Sequence, residues 1–600
     1  MNKIKTWLFF AALLFIYLFT SALTVSANDK KFPSGISYTD IEPTMQQYVE
    51  QNEETTAGLA IGIFDQNEIV FEDYFGYVNI ENELPVSADS VFEWGSVTKL
   101  LIWVSVMQQW EQGNIDLEEN IENYLPDNFL DFLEYDEPIT MKHLMSHQAG
   151  FQDYIHDLFT TNSDEIGSLG EELSKIKMKQ IYPPGEYTAY SNYGSALAAY
   201  IVEIVSKQDF TSYVHQNIFE PLQMNNTSLS VDLTDNNYVK EHIQGYAGYD
   251  SEGNFIDDAR FSIPLYPAGY AIGTLTDFLK FGQALVPINQ TESKLFQHSN
   301  TLTKMFEPLT TLNYEGLTKN AHGLWGNYYQ VPTLGHSGNT TQSSATIEFN
   351  PELGIGMAVM TNQANELKYN AEMYELIFGT FDQRIFKENP REVPKGVYRS
   401  ARNIIQGPLS LYKMLAFTTY NETDLDLYWQ NSFTGHRKYV LHPYTDYYQM
   451  TIFEIVGEFG IIILWVLAVL FSVVVLVGDG FIRPLIRTIN SKMKMQEINR
   501  GKLKRIYFVG AILQVVLFLN ILLLIYNVLT YQSSNQYRWQ FIGNGIIALL
   551  LMGNIVFIMK NKSYFNQLEH GKWKVVLSTL FSFVSILFIL YFQLYQFWGL

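Results

Sequence analysis

Two stretches of strand-type pattern, one early and one late, bracket a region whose apolar residues recur at helical spacing. Gly58–Phe64 and Ile69–Phe71 flank the polar Asp65-Gln66-Asn67, which predicts a β-hairpin. Ser344–Phe349 and Gly356–Met360 are joined by Asn350-Pro351-Glu352-Leu353-Gly354, a turn with a strand on each side. Helical spacing marks Ile41–Val49, the dozen residues after Ser96, and Ala196–Val205; Ile139–Gly150 reads as a short helix stopping at its glycine. This order predicts an α+β fold in which both ends of the region share one antiparallel sheet flanked by helices, with a helical subdomain inserted.

The pattern changes twice more. Residues 382–450 are rich in Tyr, Asn and Arg without a strong period, and read as a membrane-proximal connector or small domain. Beyond them come four apolar runs, near 459–478, 506–529, 541–559 and 575–596, each about the 20 residues a bilayer requires. At the N-terminus, Lys3 and Lys5 precede the apolar Trp7–Leu18, and Val25-Ser26-Ala27 is a small-x-small cleavage signal. The chain thus divides into a signal peptide (1–27, with an uncleaved anchor as the competing reading), a folded domain (28–381), the connector (382–450) and a four-helix transmembrane region (451–600).

Charge follows the same division. Residues 451–600 hold 13 Lys/Arg and 5 Asp/Glu, a net of +8, whereas the first 450 residues hold 26 and 57, a net of −31. A domain that acidic is a poor partner for nucleic acid, which rewards clustered Lys and Arg. The loop Arg483–Arg505 carries eight Lys/Arg and Lys560–Lys574 carries four, while 530–540 carries only Arg538. Positive-inside logic places the two basic loops in the cytoplasm and the N-terminal domain outside the cell membrane, in agreement with the export signal. The chain has no cysteine, which excludes disulfides, thiolate metal sites and a cysteine nucleophile.

The candidate chemistry begins at Ser96-Val97-Thr98-Lys99. If Ser96 opens the following helix, Lys99 lies one turn on, beside the hydroxyl. Serine is a poor nucleophile until a base takes its proton, and a desolvated lysine can be that base. Three other Ser-x-x-Lys matches have blander contexts. Ser174 and Lys177 sit in a charged amphipathic stretch, Ser410 and Lys413 in the connector, Ser491 and Lys494 in a basic loop. Two further motifs follow: Tyr190-Ser191-Asn192 after the Pro184-Gly185 turn, and His336-Ser337-Gly338 on or before a late strand.

In this order the three motifs resemble the serine β-lactamase and penicillin-binding protein superfamily, and specifically its class C-like branch of β-lactamases, D,D-peptidases and esterases. His143–Phe151, Phe219–Met224 and Met360–Asn362 are similar to further landmarks of that branch, so the resemblance spans roughly residues 35–380. It implies a β-lactamase/transpeptidase-like fold for 28–381. Ser96 would form the acyl-enzyme, and Lys99, alone or with Tyr190, would take its proton. Tyr190 would help protonate the leaving group, and Asn192 would bind a substrate amide. Backbone N–H groups of Ser96 and Asn339 would form the oxyanion hole, with His336, Ser337 and Gly338 on the substrate-binding strand. His336 departs from the lysine that β-lactamases use; a mostly neutral imidazole selects less strongly for anionic β-lactams and favours peptides or esters. His143 and His147 stand at i, i+4 without the acidic partner of a zinc motif and read as structural, so no metal or cofactor is implied.

The expected partners are therefore a small-molecule or peptide substrate of D-amino-acid or peptidoglycan type, and the lipid bilayer. Two other readings keep the fold. One is a penicillin-binding sensor that acylates without turnover, against which the short cytoplasmic loops count. The other is an accessory ectodomain of a transporter, against which the nearly charge-free spans count.

Overall fold

The computed structural model describes residues 30–599 except 156, 177, 258–259, 288–292, 313–316, 381–394, 421–429, 435–436, 442–443, 490–500, 531–533 and 562–571. The expected signal peptide at 1–27, Lys177, and the Ser491–Lys494 pair lie outside the described residues.

Nine strands build the main sheet: β1 (Gly58–Asp65), β2 (Ile69–Asn79), β3 (Leu84–Pro85), β4 (Thr310–Thr311), β5 (Thr318–Ala321), β6 (Leu324–Tyr328), β7 (Pro332–Asn339), β8 (Ser344–Asn350) and β9 (Ile355–Thr361). Their order is β3-β2-β1-β9-β8-β7-β6-β5-β4, antiparallel throughout. The early hairpin and the late strands meet where β1 pairs with β9, Leu59 opposite Thr361 and Asp65 opposite Ile355. The fold is the α+β arrangement expected, with the helical region inserted between β3 and β4.

Strand alternation sorts the central side chains to two cores. Leu59, Ile61 and Ile63 pack with Ile355, Met357 and Val359 beneath helix α1 (Ile41–Glu50), which supplies Ile41, Met45 and Val49. Ala60, Phe64, Ala358 and Met360 face the larger core on the other side. There α4 (Leu275–Ala284) packs on β1 and β9, and the helices α2 (Lys99–Glu111) and α3 (Asn192–Ser206) pack on each other within the same core. Every residue of α2 from Lys99 to Gln109 is buried, as suits a helix apolar nearly all round.

Residues 396–449 are more structured than a connector without a clear period suggests. They hold a second antiparallel sheet of β10 (Gly396–Ser400), β11 (Phe417–Tyr420), β12 (Gln430–Thr434), β13 (Arg437–Leu441) and β14 (Tyr447–Gln449), in the order β11-β10-β14-β13-β12. This sheet docks on the segment just before Tyr190. Asp446 accepts from the Thr188 amide (2.7 Å) and pairs with the buried Lys319 (2.5 Å), and the Asp446 amide donates to the Thr188 carbonyl (2.8 Å).

Among the described residues, four helices are long and apolar enough to cross a membrane: Ile452–Ile486, Tyr507–Val528, Gln536–Lys560 and Lys572–Tyr591. Less than half of each apolar window is buried inside the protein, so the outward faces present Leu and Ile side chains. The first begins earlier than its apolar run because Glu458 is neutralised rather than exposed. It is buried against Arg399 and lies 3.5 Å from Lys413, both from the second-sheet region. At the other end Asp479 meets Lys574 (2.8 Å), Arg483 (3.0 Å) and the Tyr507 hydroxyl (2.8 Å). These spans therefore carry two buried carboxylates, each answered by cations.

Candidate active site

The candidate nucleophile sits on a tight turn rather than inside a regular helix. Gly95–Thr98 form a 3₁₀ turn, and the α-helix starts at Lys99, one turn later than the sequence spacing suggests. The geometry still brings the pair together, because i to i+3 side chains eclipse in a 3₁₀ turn. Lys99 Nζ donates to Ser96 Oγ at 3.0 Å and also to the Ala268 carbonyl.

Two glycines permit this turn to lie on the substrate strand. Gly95 has φ +51°, a left-handed value that side chains resist, and a Cβ on it would stand 2.7 Å from the Asn339 amide nitrogen. A Cβ on Gly338 would stand 2.5 Å from the Ser96 amide nitrogen and 2.2 Å from the Trp94 carbonyl. The backbone of β7 thus runs hard against the serine turn, with the amides of Ser96 and Asn339 on either side of the contact. The Asn339 side chain is engaged elsewhere, accepting from Ser344 Oγ (2.7 Å) and the Asn365 amide (3.1 Å).

Electrostatics separate the two proton-handling candidates. Lys99 is fully buried, with no carboxylate in contact among the described residues. Desolvation, helped by the Arg402 charge, holds its pKa well below the usual lysine value, which favours the neutral amine. The Tyr190 phenol is pushed the other way by burial, with the Ser96 hydroxyl and Arg402 opposing that rise. Its oxygen is buried beside the Ser96 hydroxyl, and Lys99 Nζ lies 4.9 Å from its ring centre.

His336 is buried, and desolvation with the neighbouring Lys99 lowers its pKa to about 3. A neutral ring donating from Nδ1 to the Ser337 carbonyl (2.6 Å) leaves Nε2 as an acceptor, and that atom has no partner among the described residues. His147 stacks on Tyr190 (4.3 Å between centres) and on Trp325 (5.5 Å), and its Nδ1 accepts from the Ser191 amide at 3.1 Å. His143 caps its own short helix, with Nδ1 accepting from the Thr140 amide. The two histidines thus face separate tasks.

Ser96, Tyr190, Asn192, His336, Ser337 and Asn339 line one cavity of about 410 Å³. Lys99 lies behind Ser96, and Gly338 forms the contact behind the strand. Asn192 opens α3, whose N-cap Ser191 accepts from the Gly194 amide (3.0 Å), so the helix start fixes both Tyr190 and Asn192.

Sequence reasoning missed two walls. Arg402 and Tyr444 enter the cavity from the second-sheet region. Arg402 is steered by Asp153, which accepts from its Nε at 2.9 Å, and its guanidinium carbon lies 5.2 Å from the Tyr190 ring centre. Tyr444 packs edge-on to Trp325, with its hydroxyl 3.4 Å from Ser337 Oγ. No periodic pattern marks either residue; the only signal is the unusual Tyr and Arg content of a segment without a strong period.

The β-lactamase family profile matches residues 41–380, more than half of the sequence, and the chain belongs to that family. It is 23% identical over 320 residues to Protein flp of Staphylococcus aureus, covering 52% of this chain and 60% of that protein. It is 26% identical over 320 residues to PbpX of Bacillus subtilis, covering 52% and 74%. The match therefore spans about 60% of the length of the first of these relatives. Among solved structures, a penicillin-binding protein homologue from Pyrococcus abyssi superposes with TM-score 0.46 at 19% identity, covering 69% of this chain and 100% of that one.

Proposed function

We propose that this member of the β-lactamase family is a membrane-anchored serine hydrolase that opens amide or ester bonds through an acyl-enzyme on Ser96. The observation that carries the reading is a desolvated lysine, without a counter-ion among the described residues, 3.0 Å from a serine hydroxyl that lines a cavity. Lys99, as the neutral amine, accepts the Ser96 proton while Oγ attacks the substrate carbonyl. Tyr190, whose phenol keeps its proton, donates to the leaving group, and Lys99 then replaces that proton. Negative charge on the tetrahedral oxygen is held by the Ser96 and Asn339 amides. Asn192 and the β7 edge from His336 to Asn339 align the substrate, and His336 Nε2 offers it an acceptor. Water attacks the acyl-enzyme in the second half-reaction by the reverse use of the same groups.

D-amino-acid and peptidoglycan-type peptides, or the corresponding esters, are the substrates this reading favours, with β-lactams as weak ones. The positive-inside pattern and the N-terminal export signal support an external catalytic domain. The test is a substrate panel on the full-length protein: a D-Ala-D-Ala peptide, a D-alanyl ester and a β-lactam. Ser96-dependent turnover of the first two, exceeding that of the β-lactam, is expected. Labelling by all three without product would instead favour the sensor, and efficient β-lactam hydrolysis would overturn the substrate preference.

A further inference from the structure

A second cavity, of about 550 Å³, lies where the catalytic domain, the second-sheet region and the membrane helices meet. Its walls are apolar apart from Asp153, Arg402 and Tyr412. Leu409, Leu411 and Met414 form one side. Trp465, Ile521, Leu524 and Phe588 form the other, contributed by three of the four candidate spans. Two lining residues, Leu415 and Ile525, are exposed, at 75% and 41%, and Ile525 lies on a candidate span. The cavity thus reaches the protein surface beside that span.

Two residues, Leu158 and Arg402, line both this cavity and the one that holds Ser96. An apolar chamber walled by candidate spans and the cavity of the nucleophile thus share one leucine and one permanent cation. Arg402 uses its Nε on Asp153, while its terminal nitrogens carry no hydrogen bond among the described residues. Its side chain is 37% exposed, so it is available to a ligand from either cavity.

We infer that the second cavity holds the alkyl or isoprenoid chain of a membrane amphiphile, whose anionic group meets Arg402 and whose scissile ester or amide reaches Ser96. The inference rests on the hydrolase reading and narrows its substrate class to lipid-borne molecules drawn laterally from the bilayer. A volume near 550 Å³ falls within the range of small-ligand pockets, roughly 300–1,000 Å³, and apolar lining makes chain burial favourable. A freely soluble peptide would leave this chamber unused. Four spans packed under the catalytic domain gain a role in this way, because they supply a wall that a single anchor lacks.

The test has a binding arm and a turnover arm, both on full-length protein in phosphatidylcholine nanodiscs. Hexadecyl phosphate carrying a diazirine near the chain end is photolysed, and labelled peptides are mapped. Label concentrated on 409–415 and 521–528, reduced about tenfold by Met414→Trp or Leu411→Trp, is expected for a chain that fills the chamber. Label spread over the exposed Leu464, Leu522 and Leu523 and insensitive to both variants overturns the inference. In the second arm, the kcat/KM ratio of a hexadecyl to a methyl ester of the same acid is compared between wild type and Met414→Trp. The ratio should fall about tenfold in the variant, cancelling any gain from simple membrane partition. An unchanged ratio overturns the substrate assignment. If neither ester shows Ser96-dependent turnover the hydrolase reading fails, and the labelling still decides the cavity.

Discussion

Two Ser-x-x-Lys segments of this protein have almost the same local structure and different surroundings. Ser96–Lys99 and Ser410–Lys413 both run through 3₁₀ turns, and both lysines are buried. Desolvation lowers the pKa of both. Lys413, however, lies 3.5 Å from Glu458 and 4.4 Å from the Tyr591 ring centre, and Ser410 Oγ donates to the Phe592 carbonyl at 2.6 Å. That pair ties the second-sheet region to the membrane bundle. Among the described residues Lys99 has no carboxylate in contact, its serine faces a cavity, and the amides of Ser96 and Asn339 lie at the serine turn. The spacing of a motif sets which atoms meet, and the absence of a counter-ion leaves the amine free for chemistry.

The largest effect expected from breaking the contrast is that of Lys99→Met. Loss of the base should lower kcat/KM by about 10²–10⁴-fold, read as steady-state ester hydrolysis, with thermal stability retained because a buried uncompensated amine is removed. Gly338→Ala attacks the oxyanion side. A methyl 2.5 Å from the Ser96 amide must push β7 and the serine turn apart, and a loss of about 10²-fold in kcat is expected without a matching rise in KM.

Glu458→Gln probes the other lysine. Removing the acid leaves Arg399 and Lys413 buried together, which should cost about 3 kcal/mol, seen as a fall in Tm of the full-length protein, with hydrolysis per folded molecule unchanged. A smaller effect is expected from Arg402→Gln on the pH profile. The Arg402 charge disfavours the protonated lysine, so its removal raises the Lys99 pKa. The acid limb of kcat/KM, where Lys99 gains a proton and activity is lost, should then move to higher pH. The corresponding limb in Lys413→Gln should not move.

Much of this was legible in the chain itself. Short apolar or β-branched runs at Gly58–Phe64, Ser344–Phe349 and Gly356–Met360, bounded by polar turns, marked the central strands, because a strand buried on both faces reads as such a run. The three motifs were legible through their order. Boundaries were less so: the helix after Ser96 begins at Lys99 because the serine turn is pulled into 3₁₀ form against β7, a tertiary cause. The first span extends back past Glu458 because Arg399 and Lys413, about fifty residues earlier, neutralise that carboxylate. Arg402 and Tyr444 were hidden for a related reason. Their short, twisted sheet takes its order from docking on Thr188 and Lys319, so no local period records it.

The contrast between the two serines is tested most directly by intact-protein mass measurement after brief exposure to a fluorescent penicillin and, separately, to a D-alanyl ester. Wild type, Ser96→Ala and Ser410→Ala are compared side by side in the full-length form. One acyl adduct per chain in wild type and in Ser410→Ala, and none in Ser96→Ala, is the predicted result. An adduct of undiminished yield on Ser96→Ala would contradict the assignment of Ser96 as the nucleophile.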